Sequence, residues 1–113
     1  MKLVVQRVKK AKVTVEQSVI GTINEGFLVL IGISNDDTKE NVDYLVKKLI
    51  NLRVFSDSEG KMNLSIKDIK GELLLVSQFT LYADCKNGNR PSFINVAKPE
   101  LAKPLYEYFV RRV

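Results

Sequence analysis

The stretch from Phe27 to Ile33 constrains this chain more than any other. It is a nearly unbroken apolar run, bounded by Asn24-Glu25-Gly26 before it and Ser34-Asn35-Asp36 after it. It is too short for a typical helix and rich in β-branched and aromatic residues, so it reads as a buried strand. A second run, Leu73-Leu74-Leu75-Val76 after Gly71, reads the same way. Two such strands need cover, and the rest of the chain has the patterning to supply it.

Residues 2–8 alternate loosely, and Val13 and Val15 continue the period of two. A turn is expected near Gln17-Ser18, with Ile20 and Ile23 beyond it. A helix follows, capped by Asp37 or Thr38. Val42, Leu45, Val46, Leu49 and Ile50 recur at helical spacing and form one apolar stripe. Leu52 to Phe55 reads as a short strand, Ser56 to Lys61 as a turn, and Leu64 to Ile69 as a helical turn. Asn87-Gly88-Asn89 marks another turn. The last element is a helix opened by Pro99, with Leu101, Ala102, Leu105, Tyr108 and Phe109 on its apolar face. Pro104 cannot donate to the carbonyl of Glu100, so a kink or a later helix start is expected. With 113 residues and no linker or repeat, the expectation is one domain spanning 1–113.

Residue usage narrows the chemistry. The chain has no His and a single Cys, Cys85. That excludes Ser-His-Asp and Cys-His catalysis, His-based zinc sites and an internal disulfide. The pattern fits a reducing cytosol, so the expected location is cytoplasmic. Cys85 has no base near it in sequence and is read as inert. No apolar run approaches the ~20 residues that span a bilayer, and Met1 to Arg7 lacks the apolar core of a signal peptide. No membrane partner, metal or cofactor is expected.

The net charge of +5 is uneven. Residues 1–35 carry +3, residues 36–84 carry −2 and residues 85–113 carry +4. Basic ends suit a polyanionic partner if they share a face, and equally suit ordinary solubility.

Ser77-Gln78-Phe79-Thr80 is the strongest local signal for a site. It lies where a central strand ends, a common place for sites. Its hydroxyls, amide and emerging backbone N–H groups could hold an oxyanion without a titratable side chain. The plainer alternative is a strand end whose polar groups satisfy nearby backbone. Arg90-Pro91-Ser92-Phe93 sets a cation and an aromatic beside a rigid turn. That suits a phosphate and a base of a single-stranded end, or a structural loop. Arg7, in mid-strand, must be exposed, paired or interfacial. Lys9, Lys10 and Lys12 read as a solvated edge, and Asp57 and Glu59 as turn formers.

Taken in order, several of these segments resemble the D-aminoacyl-tRNA deacylase family, also called D-tyrosyl-tRNA deacylases. They are Gln6-Arg7-Val8, Ile23 to Gly32, Arg53-Val54-Phe55-Ser56-Asp57, Gly60-Lys61-Met62-Asn63, Ser77 to Leu81, Arg90 to Phe93 and Leu105 to Phe109. The likeness covers essentially the whole chain. It implies an α/β (α+β) domain with a barrel-like mixed sheet and two main helices, working as a homodimer. It implies hydrolysis of the ester between a D-amino acid, or mischarged glycine, and the 3′-terminal adenosine of tRNA, a proofreading step in translation. The aminoacyl-tRNA 3′ end is the expected partner, and DNA is not.

By position in that family, Ser77, Gln78, Phe79 and Thr80 would line the catalytic site. Thr80 would be a nucleophile, or the 2′-hydroxyl of the RNA would assist a water. Arg90 and Phe93 would meet the substrate, Ala102 would keep the adenosine pocket open, and Arg7 would brace the site near the partner. The family also carries a C-terminal Asn-x-Gly-Pro-Val-Thr segment whose cis Gly-Pro peptide rejects L-amino acids. This sequence stops before it, and none of Pro91, Pro99 and Pro104 follows Gly. A truncated deacylase, inactive or unselective, is therefore one expectation, and a tRNA-end-binding module without hydrolysis is another.

Overall fold

The computed structural model describes all 113 residues. β1 (Lys2–Val8) is followed by the hairpin of β2 (Ala11–Val15) and β3 (Ser18–Ile23), then by β4 (Gly26–Gly32) and α1 (Lys39–Asn51). A second hairpin joins β5 (Phe55–Ser56) to β6 (Met62–Leu64). After β7 (Glu72–Ser77) come a 3-10 turn (Phe79–Tyr82) and α2 (Pro99–Arg112). No helix is long and apolar enough to cross a membrane.

The apolar run that dominates the sequence is the middle strand of a three-stranded sheet ordered β1-β4-β7. β4 pairs antiparallel with β1 and parallel with β7. Phe27, Val29 and Ile31 are fully buried on one face. There they meet Val42, Val46 and Leu49 of α1 and Leu105 and Phe109 of α2 in the core. Burying each such side chain contributes about 1.5–3 kcal/mol. β7 approaches so closely that a Cβ at Gly26 would lie 1.8 Å from the Glu72 carbonyl oxygen.

The mixed sheet is as expected, but its barrel-like closure is incomplete. β1 and β7 remain edges of an open sheet. The β2–β3 hairpin closes the curl by packing instead: a Cβ at Gly21 would meet Leu74 Cδ1 at 2.9 Å.

Other local expectations shift. The β2–β3 hairpin turns at Glu16 and Gln17, both at positive φ, one residue earlier than expected. Thr38 is the α1 N-cap, and its backbone N–H donates to Asn41 Oδ1 at 2.8 Å. Asp37 is buried instead, accepting from the Met1 ammonium at 2.5 Å and the Ser34 N–H at 2.7 Å. Leu52 to Val54 is unpaired, and the strand begins only at Phe55, whose ring packs 5.0 Å from Phe27. Leu64 ends β6, and the helical turn is confined to the residues after Ser65, with Ile69 N–H on the Ser65 carbonyl at 3.3 Å. α2 runs unbroken through Pro104, with neither a later start nor a break there. The carbonyl that Pro104 leaves without a donor belongs to Glu100, an exposed residue in the first turn.

Candidate active site

The site begins where β7 runs out. Ser77 is the last paired residue, opposite Ile31, and Gln78 N–H adds a final bond to the Ile31 carbonyl at 2.8 Å. The chain then leaves the sheet as the 3-10 turn. Leu81 N–H reaches back to the Gln78 carbonyl (3.4 Å) and Ala83 N–H to that of Thr80 (3.1 Å). The opening amides of such a turn, here Phe79 and Thr80, have no acceptor within it. Gln78 Nε2 donates to Thr80 Oγ1.

The turn is held from behind. A Cβ at Gly32 would sit 2.9 Å from Leu81 Cβ, so only glycine lets β4 come this near. Lys2 donates to the Leu81 carbonyl at 3.2 Å and lies 4.6 Å over the Tyr82 ring. Burial, reinforced by Asp37, pushes the Tyr82 phenol up.

In front of the turn is a cavity of about 470 Å³. Ser77 and Phe79 form one wall, and Pro99, Ala102, Lys103 and Tyr106 form another. Ala97 N–H on the Ile33 carbonyl (3.0 Å) and the bridge between Ser34 and Val96 pin the start of α2 beside the end of β4. Tyr106 donates to the Leu75 carbonyl at 3.0 Å, and burial pushes its phenol up, so it stays a neutral donor at physiological pH. Phe93 packs edge-on against Phe79 with centroids 5.4 Å apart. The cavity therefore combines an aromatic face, a small-residue floor, one cation and a turn with free amides. No cluster of three His, Cys, Asp or Glu side chains suited to a metal ion occurs.

A model of the family described as D-Tyr-tRNA(Tyr) deacylase matches residues 4–113. The chain belongs to that family. A D-aminoacyl-tRNA deacylase of Clostridioides difficile (strain 630) is 58% identical over 112 residues, covering 99% of this chain and 75% of that protein. Among solved structures, one described as c-Myc DNA Unwinding Element Binding Protein superposes with a TM-score of 0.93 at 43% identity. That match covers 99% of this chain and 75% of the other. A probable eukaryotic D-amino acid tRNA deacylase superposes at 0.82 over 98% of this chain and 65% of its own. At 20% identity, that last likeness shows the fold alone. The activity of the deacylase family is tRNA deacylation, an ester hydrolysis.

Of the residues expected in the site, Ser77, Phe79 and Ala102 line the cavity, Gln78 and Thr80 stand in the adjoining turn, and Phe93 packs on Phe79 without lining it. Arg7 does not join them. It pairs with Phe27 near the start of β4, whereas Ser77 pairs with Ile31 near its end. Four residues of strand separate those levels by ~13 Å. The Arg7 guanidinium donates to the Val54 carbonyl instead. Arg90 sits in the exposed loop between Asp84 and Ser92, whose backbones pair at 2.8 and 2.7 Å, and it does not line the cavity. Cys85 is exposed.

Lys103 and Tyr106 escaped the sequence reading. Their signal was present: Pro99, Ala102, Lys103 and Tyr106 follow i, i+3, i+4, i+7 spacing beside the buried stripe.

Proposed function

We propose that the chain, as one domain over residues 1–113, cleaves the ester between a D-amino acid or glycine and the 3′-adenosine of tRNA, with backbone amides rather than side chains as its main catalytic groups. One observation carries this reading: the only group bonded to the Thr80 hydroxyl is the carboxamide of Gln78. Neither end of a carboxamide is a base at neutral pH, so nothing activates Thr80 as a nucleophile. The N–H groups of Phe79 and Thr80 are free to donate to a developing oxyanion.

A water adds to the ester carbonyl carbon and gives up a proton, assisted by the adjacent RNA 2′-hydroxyl. The tetrahedral oxyanion rests on the two amides. Collapse breaks the bond to O3′, which takes a proton and leaves as the free tRNA end, with the amino acid as the other product. Ser77 and Gln78 flank the aminoacyl group. The adenosine occupies the cavity over Ala102, against Phe79 and Phe93. Arg90 on its loop reaches the phosphates leading to it.

A homodimer completes the assignment. Arg7 lies at the opposite end of the sheet from its own cavity, so it braces a site only in a partner protomer. The edge strand β1 with half-exposed Val4, and the hairpin with exposed Val15, Val19 and Ile20, offer apolar surface for that contact. The work is assigned to the cytoplasm, in keeping with a lone exposed thiol.

The test is deacylation of D-tyrosyl-tRNA, glycyl-tRNA and L-tyrosyl-tRNA, with sedimentation velocity on the same preparation. Release of D-tyrosine and a species of twice the chain mass are expected. Stable binding of D-tyrosyl-tRNA without turnover would mean a binding module and overturn the catalytic reading.

A further inference from the structure

A second concavity lies away from the Ser77 cavity, where α1 ends. Tyr44, Lys47, Lys48, Asn51, Leu52 and Arg53 line a groove of about 490 Å³. Tyr44, Lys47, Lys48 and Asn51 are i, i+3, i+4 and i+7, so they share one face of α1. Val42, Val46 and Leu49 occupy the buried face.

No acidic side chain lines the groove. The ion pairs of the chain join Met1 to Asp37, Lys61 to Glu59 and Arg112 to Asp43, so Lys47, Lys48 and Arg53 remain unpaired. Lysines near a helix C-terminus complement its dipole, which accounts for Lys48. It does not account for Arg53, beyond the helix, or for Tyr44, which leaves 64% of its surface in water. Lys48 Nζ stands 6.0 Å from the Tyr44 centroid, and the Asn51 carboxamide is held by the Lys47 backbone carbonyl at 2.8 Å. The Arg53 guanidinium is tied to the backbone and side chain of Asn63.

Three unpaired cations around an exposed aromatic ring are the elements that hold nucleic-acid backbone: ammonium and guanidinium for phosphate, a ring face for a base or ribose. We propose that this groove is a second contact with the tRNA substrate, gripping backbone phosphates of its acceptor arm while the Ser77 cavity holds the 3′ end. The proposal rests on the deacylase reading above. The groove adjoins Leu52, which lies with Phe27 near the start of β4, and the cavity lies at the end where β4 and β7 finish. From Lys39, where α1 starts, to Lys48 in the groove, nine residues of helix rise by ~14 Å. An RNA arm rooted in the cavity therefore has the length to reach the groove.

The experiment compares the full chain with the double variant Lys47→Gln/Lys48→Gln. Both lysines are exposed and outside the core. A charge-matched control, Lys61→Gln/Lys67→Gln, alters exposed lysines elsewhere. Binding of uncharged tRNA is followed by fluorescence anisotropy across a KCl series, beside a duplex DNA of acceptor-arm length. The groove variant is expected to flatten the slope of log K against log salt by about two, one per lost phosphate contact, and the control to leave it unchanged. KM for D-tyrosyl-tRNA should rise, while hydrolysis of a D-tyrosylated CCA trinucleotide, too short to reach the groove, keeps its rate.

An unchanged slope, an equal loss on the trinucleotide, or duplex DNA held as tightly as tRNA would each overturn the proposal. If the wild-type chain cleaves neither ester, the deacylase reading fails separately, and the anisotropy arm still decides the groove.

Discussion

Thr80 holds a hydroxyl that no neighbouring base can deprotonate, and this makes its substitution informative. Thr80→Ala is expected to reduce single-turnover deacylation by less than about tenfold, against the ~10²–10⁴-fold typical of an acid–base group. A larger loss would restore the side chain to the chemistry. Ala102 makes the complementary case. A ring at that position would fill much of the 470 Å³ cavity. Ala102→Phe is expected to raise KM by at least about tenfold, or roughly 1.4 kcal/mol of binding, without lowering the thermal midpoint. Ser77 to Thr80 could be marked from residue types at a strand end. The role of Gln78 toward Thr80 could not, because it depends on the 3-10 turn bringing residues two apart face to face.

At the scale of elements, the contact between β4 and β7 is decisive, since it carries the turn to the cavity. Gly26 permits that contact. Gly26→Ala would place a methyl 1.8 Å from a backbone oxygen, which a flexible side chain cannot relieve. A loss of about 3 kcal/mol is expected, the upper end of overpacking, read as a lower denaturant midpoint at unchanged m-value. A variant with wild-type stability would show that the two strands can part at no cost. The two long strands were legible because an apolar run is a local signal. The short strand was misplaced because Leu52-Arg53-Val54-Phe55 has the composition of a strand but only Phe55 finds a ladder partner. In α2 both stripes are present as helical spacing, but that Pro99, Ala102, Lys103 and Tyr106 line a cavity was decided only when β7 and the turn after it lay beside them.

For the molecule as a whole, acid is the expected point of weakness. Asp57 is held below the ordinary carboxylate value, chiefly by the Lys61 backbone N–H, and Asp68 by that of Ser65. A carboxylate lowered in the folded state adds stability that is complete above the unfolded value and lost as pH falls through the folded one. Thermal midpoints should therefore hold down to about pH 5 and drop below about pH 4. Asp57→Asn, which keeps an acceptor but does not titrate, should shrink that drop, and an unchanged acid profile would remove Asp57 from the account. The same scale governs Arg7, whose place in a strand was readable while its distance from the cavity was not.

Alternation, helical stripes, turn residues and the absence of histidine act over a few residues. They determined the main strands, both helices and the kind of chemistry open to the chain. Which strand ends meet, how far the sheet closes and which face of α2 stays open depend on pairings between residues tens of positions apart. Those were decided only when β4 took β7 as its parallel neighbour and the core closed over Phe27, Val29 and Ile31.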